Sequence, residues 1–156
     1  MFLIDPWLIQ VNKNLPFFVQ DANDANIIKK YCFTGVRILE EAGTQFEGIN
    51  LYKTGTQHGP REIAKPFFDS INVPYDCMGV VFQKHCQKTL YVAGDTIWCD
   101  EVKTAIDKFS PSVIIANLGG VSLFINGKSQ LEPHHFFLAY WHMKTSNPDD
   151  IHLQPF

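Results

Sequence analysis

The stretch Tyr91-Val92-Ala93-Gly94-Asp95-Thr96 runs an apolar strand into a glycine, a carboxylate and a hydroxyl. β-Branched and aromatic residues favour the strand, and the glycine lets another backbone or a ligand approach closely. Ligands of open α/β sheets gather beyond the carboxyl ends of strands. Asp95 therefore stands where an oxygen donor for a hard or borderline cation belongs. The same chemistry suits a helix cap, in which an Asp95 or Thr96 side-chain oxygen accepts from free backbone N–H groups of the next helix. Both readings are open at this point.

Working outward, Val102, Ala105, Ile106 and Phe109 recur at i, i+3, i+4 and i+7. Asp100 and Glu101 at one end and Ser110-Pro111 at the other complete a predicted helix. Val113–Ala116 reads as a buried strand. Upstream, Gly79–Gln83 and Thr89–Ala93 are strands joined by the polar turn Lys84-His85-Cys86-Gln87. Gln45–Thr54 is expected to pair with Val36–Leu39 across a turn at Glu41-Ala42-Gly43, and Gly55–Pro60 reads as loop. Phe2–Ile4 and Pro16–Gln20 are two further strands. A helix is expected over 22–32, capped by Asp21, with Lys29 and Lys30 in its last turn. Strands alternating with helices predict an α/β fold with helices outside the sheets.

The 156 residues carry 13 basic and 16 acidic side chains, for a net charge of −3, and 46% are hydrophobic. That is too apolar for a disordered chain and not basic enough for a nucleic-acid partner. The length supports one core, expected over residues 1–128. From Ser129 the texture changes, and 129–156 is an atypical tail rich in histidine and aromatic residues, including His134, His135 and His142. Leu131–Lys144 has apolar residues on too many faces for a clean helical stripe. The start lacks a basic segment, Asp5-Pro6 interrupts its apolar run, and no apolar stretch approaches the ~20 residues that span a bilayer. Cys32, Cys77, Cys86 and Cys99 form no C-x-x-C pair and are expected to be reduced thiols. The chain is read as cytoplasmic, with no membrane partner.

His58 follows a strand and is bordered by glycines in Thr54-Gly55-Thr56-Gln57-His58-Gly59. Imidazole is the commonest metal ligand, and such a loop aims the ring without crowding. The alternative is an ordinary loop histidine bonded to backbone. His85, in the hairpin turn, reads as solvent-facing. Cys99 reads either as a buried apolar thiol or as a group facing the Asp95 site.

Gln57-His58-Gly59 and Gly94-Asp95-Thr96 resemble the isolated histidine motif and the metal-bridging aspartate motif of the metallo-β-lactamase superfamily. Leu3-Ile4-Asp5-Pro6-Trp7-Leu8 is similar to the opening strand of its ascorbate-6-phosphate lactonase-like branch. The order of the remaining segments agrees, and the likeness covers roughly residues 2–8 and 14–120. It implies an αββα four-layer sandwich, truncated in its N-terminal half, with a two-metal site on one edge. The metals are usually zinc, with manganese as an alternative. His58 would bind the first metal and Asp95 would bridge both. His142 is the nearest positional candidate for the family's last histidine ligand, in surroundings that differ from the family's.

The His-x-His-x-Asp-His signature of that family belongs between Leu8 and Leu15, where this chain has Ile9-Gln10-Val11-Asn12-Lys13-Asn14. No histidine precedes His58, so four of the usual ligands are missing. Catalytic zinc takes three protein ligands and a water. The resemblance thus implies a metal-dependent hydrolase of small lactones, esters or phosphoesters with impaired catalysis. The alternatives are a non-catalytic remnant or binding module of the same fold, and a homo-oligomer that completes its site from a second chain. An internally deleted, C-terminally altered copy of a longer hydrolase would have this composition, as would natural divergence.

Overall fold

The computed structural model describes residues 14–71 and 74–116, together with two short strands, 124–125 and 128–129. The chain divides into two units, 1–117 and 118–156. In the second, β8 (Phe124–Ile125) and β9 (Lys128–Ser129) form an antiparallel pair. The expected strand Phe2–Ile4, residues 9–13 of the stretch between Leu8 and Leu15, and His134, His135 and His142 lie outside the described residues.

The described residues of the first unit open with a β-α-β segment. β1 (Phe17–Val19) and β2 (Val36–Ile38) pair in parallel, and α1 (Ala22–Lys30) crosses between them. Asp21 caps α1 as the sequence predicts, its carboxylate accepting from the Asp24 N–H at 2.9 Å. The helix stops at Lys30, not residue 32, because Cys32 turns left-handed at φ 66°. β-Strand alternation then divides the apolar side chains. Phe17 and Val19 face Ala25, Ile28, Phe33 and Val36. Phe18 points the other way, into a cluster with Leu39, Leu51 and Val80.

Leu51 and Val80 belong to a second sheet of five strands. Its order is β3 (Thr44–Phe46), β4 (Ile49–Gln57), β5 (Asp76–Gln83), β6 (Leu90–Val92) and β7 (Val113–Ile115). All neighbours are antiparallel except β6 and β7. Its other face receives α3 (Asp100–Phe109), where Tyr52 meets Phe109 with ring centroids 5.0 Å apart. Fully buried Val81, Tyr91 and Val102 lie in this part of the core. Helix, two-stranded sheet, five-stranded sheet and helix therefore succeed one another as the αββα sandwich implied by the sequence.

Three expectations are corrected. β2 pairs with β1 and not with the strand that follows it, so Glu41-Ala42-Gly43 passes between sheets and does not close a hairpin. The hairpin turn is Glu47-Gly48, both at positive φ, 50° and 75°, which suits the twist of a two-residue turn. It splits the expected strand 45–54 and lets β4 continue through Gly55 to Gln57. An unpredicted helix, α2 (Arg61–Ser70), occupies a stretch to which the sequence reading assigns no element. Ala64, Phe67 and Phe68 have helical spacing there, but Pro60, Pro66 and Pro74 interrupt the pattern.

Candidate metal centre

The site is assembled by the ends of β4 and β6. Gly94 takes φ 75°, and a Cβ on it would sit 2.7 Å from the Met78 carbonyl oxygen. Only glycine allows both the left-handed turn and this approach to β5. The chain thus turns off β6 and lies along the end of β4. There the Gln57 N–H donates to Thr96 Oγ1 at 3.0 Å, and the Ile97 N–H donates to the Gln57 carbonyl at 2.9 Å. The Thr96 hydroxyl has its own acceptors in the carbonyls of Gln57 at 3.2 Å and Ile97 at 3.0 Å. Beneath the turn, the Cys77 thiol donates to the Asp95 carbonyl at 3.0 Å, and Thr56 Oγ1 lies 2.8 Å from the same sulfur.

This clip corrects the capping alternative. The N-cap position of α3 belongs to Cys99, which makes no side-chain cap bond, and neither Asp95 nor Thr96 occupies it. Thr96 is spent on β4, and the Asp95 carboxylate projects from the turn with a side chain 67% exposed. Cys99 is half-buried, with its sulfur 3.9 Å from Thr96 Oγ1. Burial raises its pKa, as it does that of Cys77, which reaches about 11; both thiols stay protonated at neutral pH. Protonated thiols are poor ligands and poor nucleophiles. All four cysteines are free. His85 is exposed as expected, its Nδ1 3.0 Å from Cys86 Sγ.

His58 leaves the end of β4 beside this turn, and its Nε2 lies 3.8 Å from Asp95 Oδ2. Its Nδ1 lies 2.9 Å from the Tyr75 carbonyl oxygen. A carbonyl only accepts, so Nδ1 carries the proton, and in the neutral ring Nε2 presents its lone pair. Two acceptors, an imidazole nitrogen and a carboxylate oxygen, therefore face each other. The pair becomes an ion pair only when the ring is protonated. Phe68 stacks on the imidazole, centroids 4.9 Å apart and 19° from parallel. Nearby, the Gln57 amide donates to Glu101 at 2.8 Å and holds that carboxyl below its ordinary pKa.

The fit to a metal ion can be judged from these atoms. Zinc bonds of ~2.0–2.2 Å at a tetrahedral angle separate two donors by about 3.4 Å. The observed 3.8 Å needs only a small adjustment at the exposed carboxylate. Kind and spacing fit a divalent cation. The number of ligands is two, since no group of three His, Cys, Asp or Glu residues gathers among the described residues. A cleft of about 440 Å³ lies on the neighbouring surface, lined by Lys53, Asp76, Cys77 and Lys108 among others, but neither His58 nor Asp95 borders it. What the sequence reading missed is the support of the histidine: Phe68 and the Tyr75 carbonyl. A carbonyl has no sequence signature, whereas the Ala64/Phe67/Phe68 spacing is visible. No helix among the described residues is long and apolar enough to cross a membrane.

No family model matches the chain. It is 39% identical over 107 residues, 69% of its length, to the UPF0173 protein YddR of Bacillus subtilis (strain 168), of which the match covers 39%. Among solved structures it is similar to an isothiocyanate hydrolase from Delia radicum gut bacteria, with a TM-score of 0.58 and 33% identity over 67% of this chain and 40% of that one. It is also similar to a possible metal-dependent hydrolase from Veillonella parvula DSM 2008, with a TM-score of 0.73 and 34% identity over 89% of this chain and 51% of that one. The chain thus spans about half, or less, of the length of these three proteins, and its α/β fold is that of hydrolases of the metallo-β-lactamase type.

Proposed function

We propose that this chain carries the half of a metal-dependent hydrolase that bears His58 and Asp95, with catalysis impaired by a shortage of ligands. The observation that carries the proposal is the 3.8 Å approach of His58 Nε2 to Asp95 Oδ2 across two strand ends. A bound divalent cation supplies an acidified water and positive charge for a developing oxyanion. The residues of this chain have simpler tasks. His58 offers a lone pair fixed in direction by its bond to Tyr75, and Asp95 offers a negative charge at the surface. Thr96 and Cys77 hold the Asp95 backbone in place.

Zinc suits a nitrogen and a carboxylate donor, and manganese is the second choice. The substrate class is a small lactone, ester or phosphoester. The likeness of Gln57-His58-Gly59 and Gly94-Asp95-Thr96 supports a relation to the ascorbate-6-phosphate lactonase-like branch, and a cytoplasmic location suits the four free thiols. The second reading, a non-catalytic remnant or binding module, is favoured by the absence of a three-ligand cluster among the described residues.

Metal analysis of the protein purified under metal-replete conditions separates the two. The hydrolase reading expects bound zinc or manganese, lost in both His58→Ala and Asp95→Ala. A cooperatively melting protein that retains no metal establishes the remnant.

A further inference from the structure

We propose that Phe68 is a positioning residue for His58. Its ring, with the Tyr75 carbonyl, holds the imidazole as the Nδ1–H tautomer and aims the Nε2 lone pair at Asp95. The use of this arrangement for a cation rests on the hydrolase reading; the tautomer itself does not.

The geometry assigns the two tasks separately. Stacking at 4.9 Å and 19° confines the imidazole to one plane. Within that plane a half-turn about χ2 gives two orientations. The Tyr75 carbonyl, 2.9 Å from Nδ1, selects one of them and demands the proton there. Phe68 also meets the Tyr75 ring, centroids 6.2 Å apart at 62°, so one side chain borders both partners of the hydrogen bond. Tyr75 is held in turn by its hydroxyl, which donates to the Gly59 carbonyl and has Gln57 Oε1 at 3.1 Å. Arg61, at the start of α2, lies 5.0 Å from the Tyr75 ring centroid and 3.0 Å from Asp76, tying the helix to β5. The His58 side chain remains 21% exposed, so burial alone does not fix the tautomer. A flat wall on one face restricts the tilt of the ring. A branched aliphatic side chain fills similar space but has no plane to align the ring.

The test uses the full chain, labelled with ¹⁵N and stripped of metal, at about pH 8, above the ordinary imidazole range near 6.5. The His58 ring resonances are those absent from His58→Asn. The wild type is expected to show one tautomer, protonated at Nδ1, with ring protons shifted upfield by stacking. Phe68→Leu is expected to show both tautomers and no upfield shift, and Phe68→Tyr to restore both features. Cobalt(II) affinity in Phe68→Leu should fall about 10- to 100-fold, the usual effect of losing a residue that orients a ligand.

A single Nδ1–H tautomer retained in Phe68→Leu overturns the proposal, because Phe68 is then only filling space. A wild type without the upfield shift, or protonated mainly at Nε2, overturns it as well. If Phe68→Leu fails to melt cooperatively, Phe68→Met is measured in its place, with the same expected and overturning results. A wild type that shows the tautomer lock but binds no cobalt(II) overturns the hydrolase reading and supports the positioning role.

Discussion

Thr96 shows how much a single side chain does in this fold. Its hydroxyl accepts from the Gln57 N–H and donates to one of two nearby carbonyls, in a position only 9% exposed. Thr96→Val keeps the shape and removes the hydrogen bonding, leaving the Gln57 N–H without that partner. The expected loss is about 1–3 kcal/mol. It should appear as a lower denaturation midpoint at unchanged m-value, together with weaker metal binding as the Asp95 turn loosens from β4. Cys77 gives a prediction of a different kind. Burial pushes its thiol from an ordinary 9 to about 11, against the smaller opposing hydrogen bond from Thr56. Between those values the unfolded chain has released a proton that the native state keeps, so stability is full below pH 9 and falls as pH rises towards 11. Tyr75, Tyr91 and Cys99 are also raised by burial and add decline of the same sign. Denaturation of Cys77→Ala across that window should show a shallower alkaline decline than the wild type.

Among the elements, two glycines at the same φ of 75° separate backbone conformation from packing. Gly48, in the β3–β4 turn, has nothing within 4 Å of a Cβ, whereas Gly94 has the Met78 carbonyl oxygen at 2.7 Å. Gly48→Ala should lower stability by about 1–2 kcal/mol, the strain of a left-handed residue. Gly94→Ala carries that strain plus a backbone clash, and its loss should clearly exceed that of Gly48→Ala in parallel melts. Gly94 and Asp95 were legible because strand, glycine and carboxylate are adjacent, so local chemistry defines the motif. Thr96 is legible as a polar side chain suited to capping the next helix, but its partner is Gln57, because the choice between helix and strand end is a tertiary one. The β3–β4 turn has a signal in the sequence, Gly48 and the change of parity from Phe46 to Ile49 and Leu51, but β3 is only three residues long and shows too little alternation of its own for the break to stand out. α2 is hard to read from the sequence because Pro60, Pro66 and Pro74 lie among its three well-spaced apolar residues or flank them. His58 was legible as a donor, while the carbonyl and ring that direct it come from elements only folding brings near.

At the scale of the whole molecule, the proposed site is a pair of candidate ligands on described layers that are packed without it, and the thermodynamics of metal addition should reflect that. Phe17 and Val19 face α1, Phe18 and Leu51 join the sheets, and Tyr52 meets α3, so the layers around the site have their own core. A cation held by His58 and Asp95 therefore adds stability only by mass action, RT ln(1 + [M]/Kd), and does not create the fold. With metal at tenfold over its dissociation constant that amounts to about 1.4 kcal/mol, or a rise of a few degrees in Tm. A structural zinc domain, by contrast, unfolds when chelated. Thermal melts with chelator and with rising zinc should show cooperative unfolding throughout, with a small saturable rise in Tm that is absent from Asp95→Ala. Loss of the cooperative melt in chelator would mean that the cation holds the sheets together, which two bonds at the rim of layers with their own packing do not require. A rise equal in wild type and Asp95→Ala would place the bound ion elsewhere on the molecule.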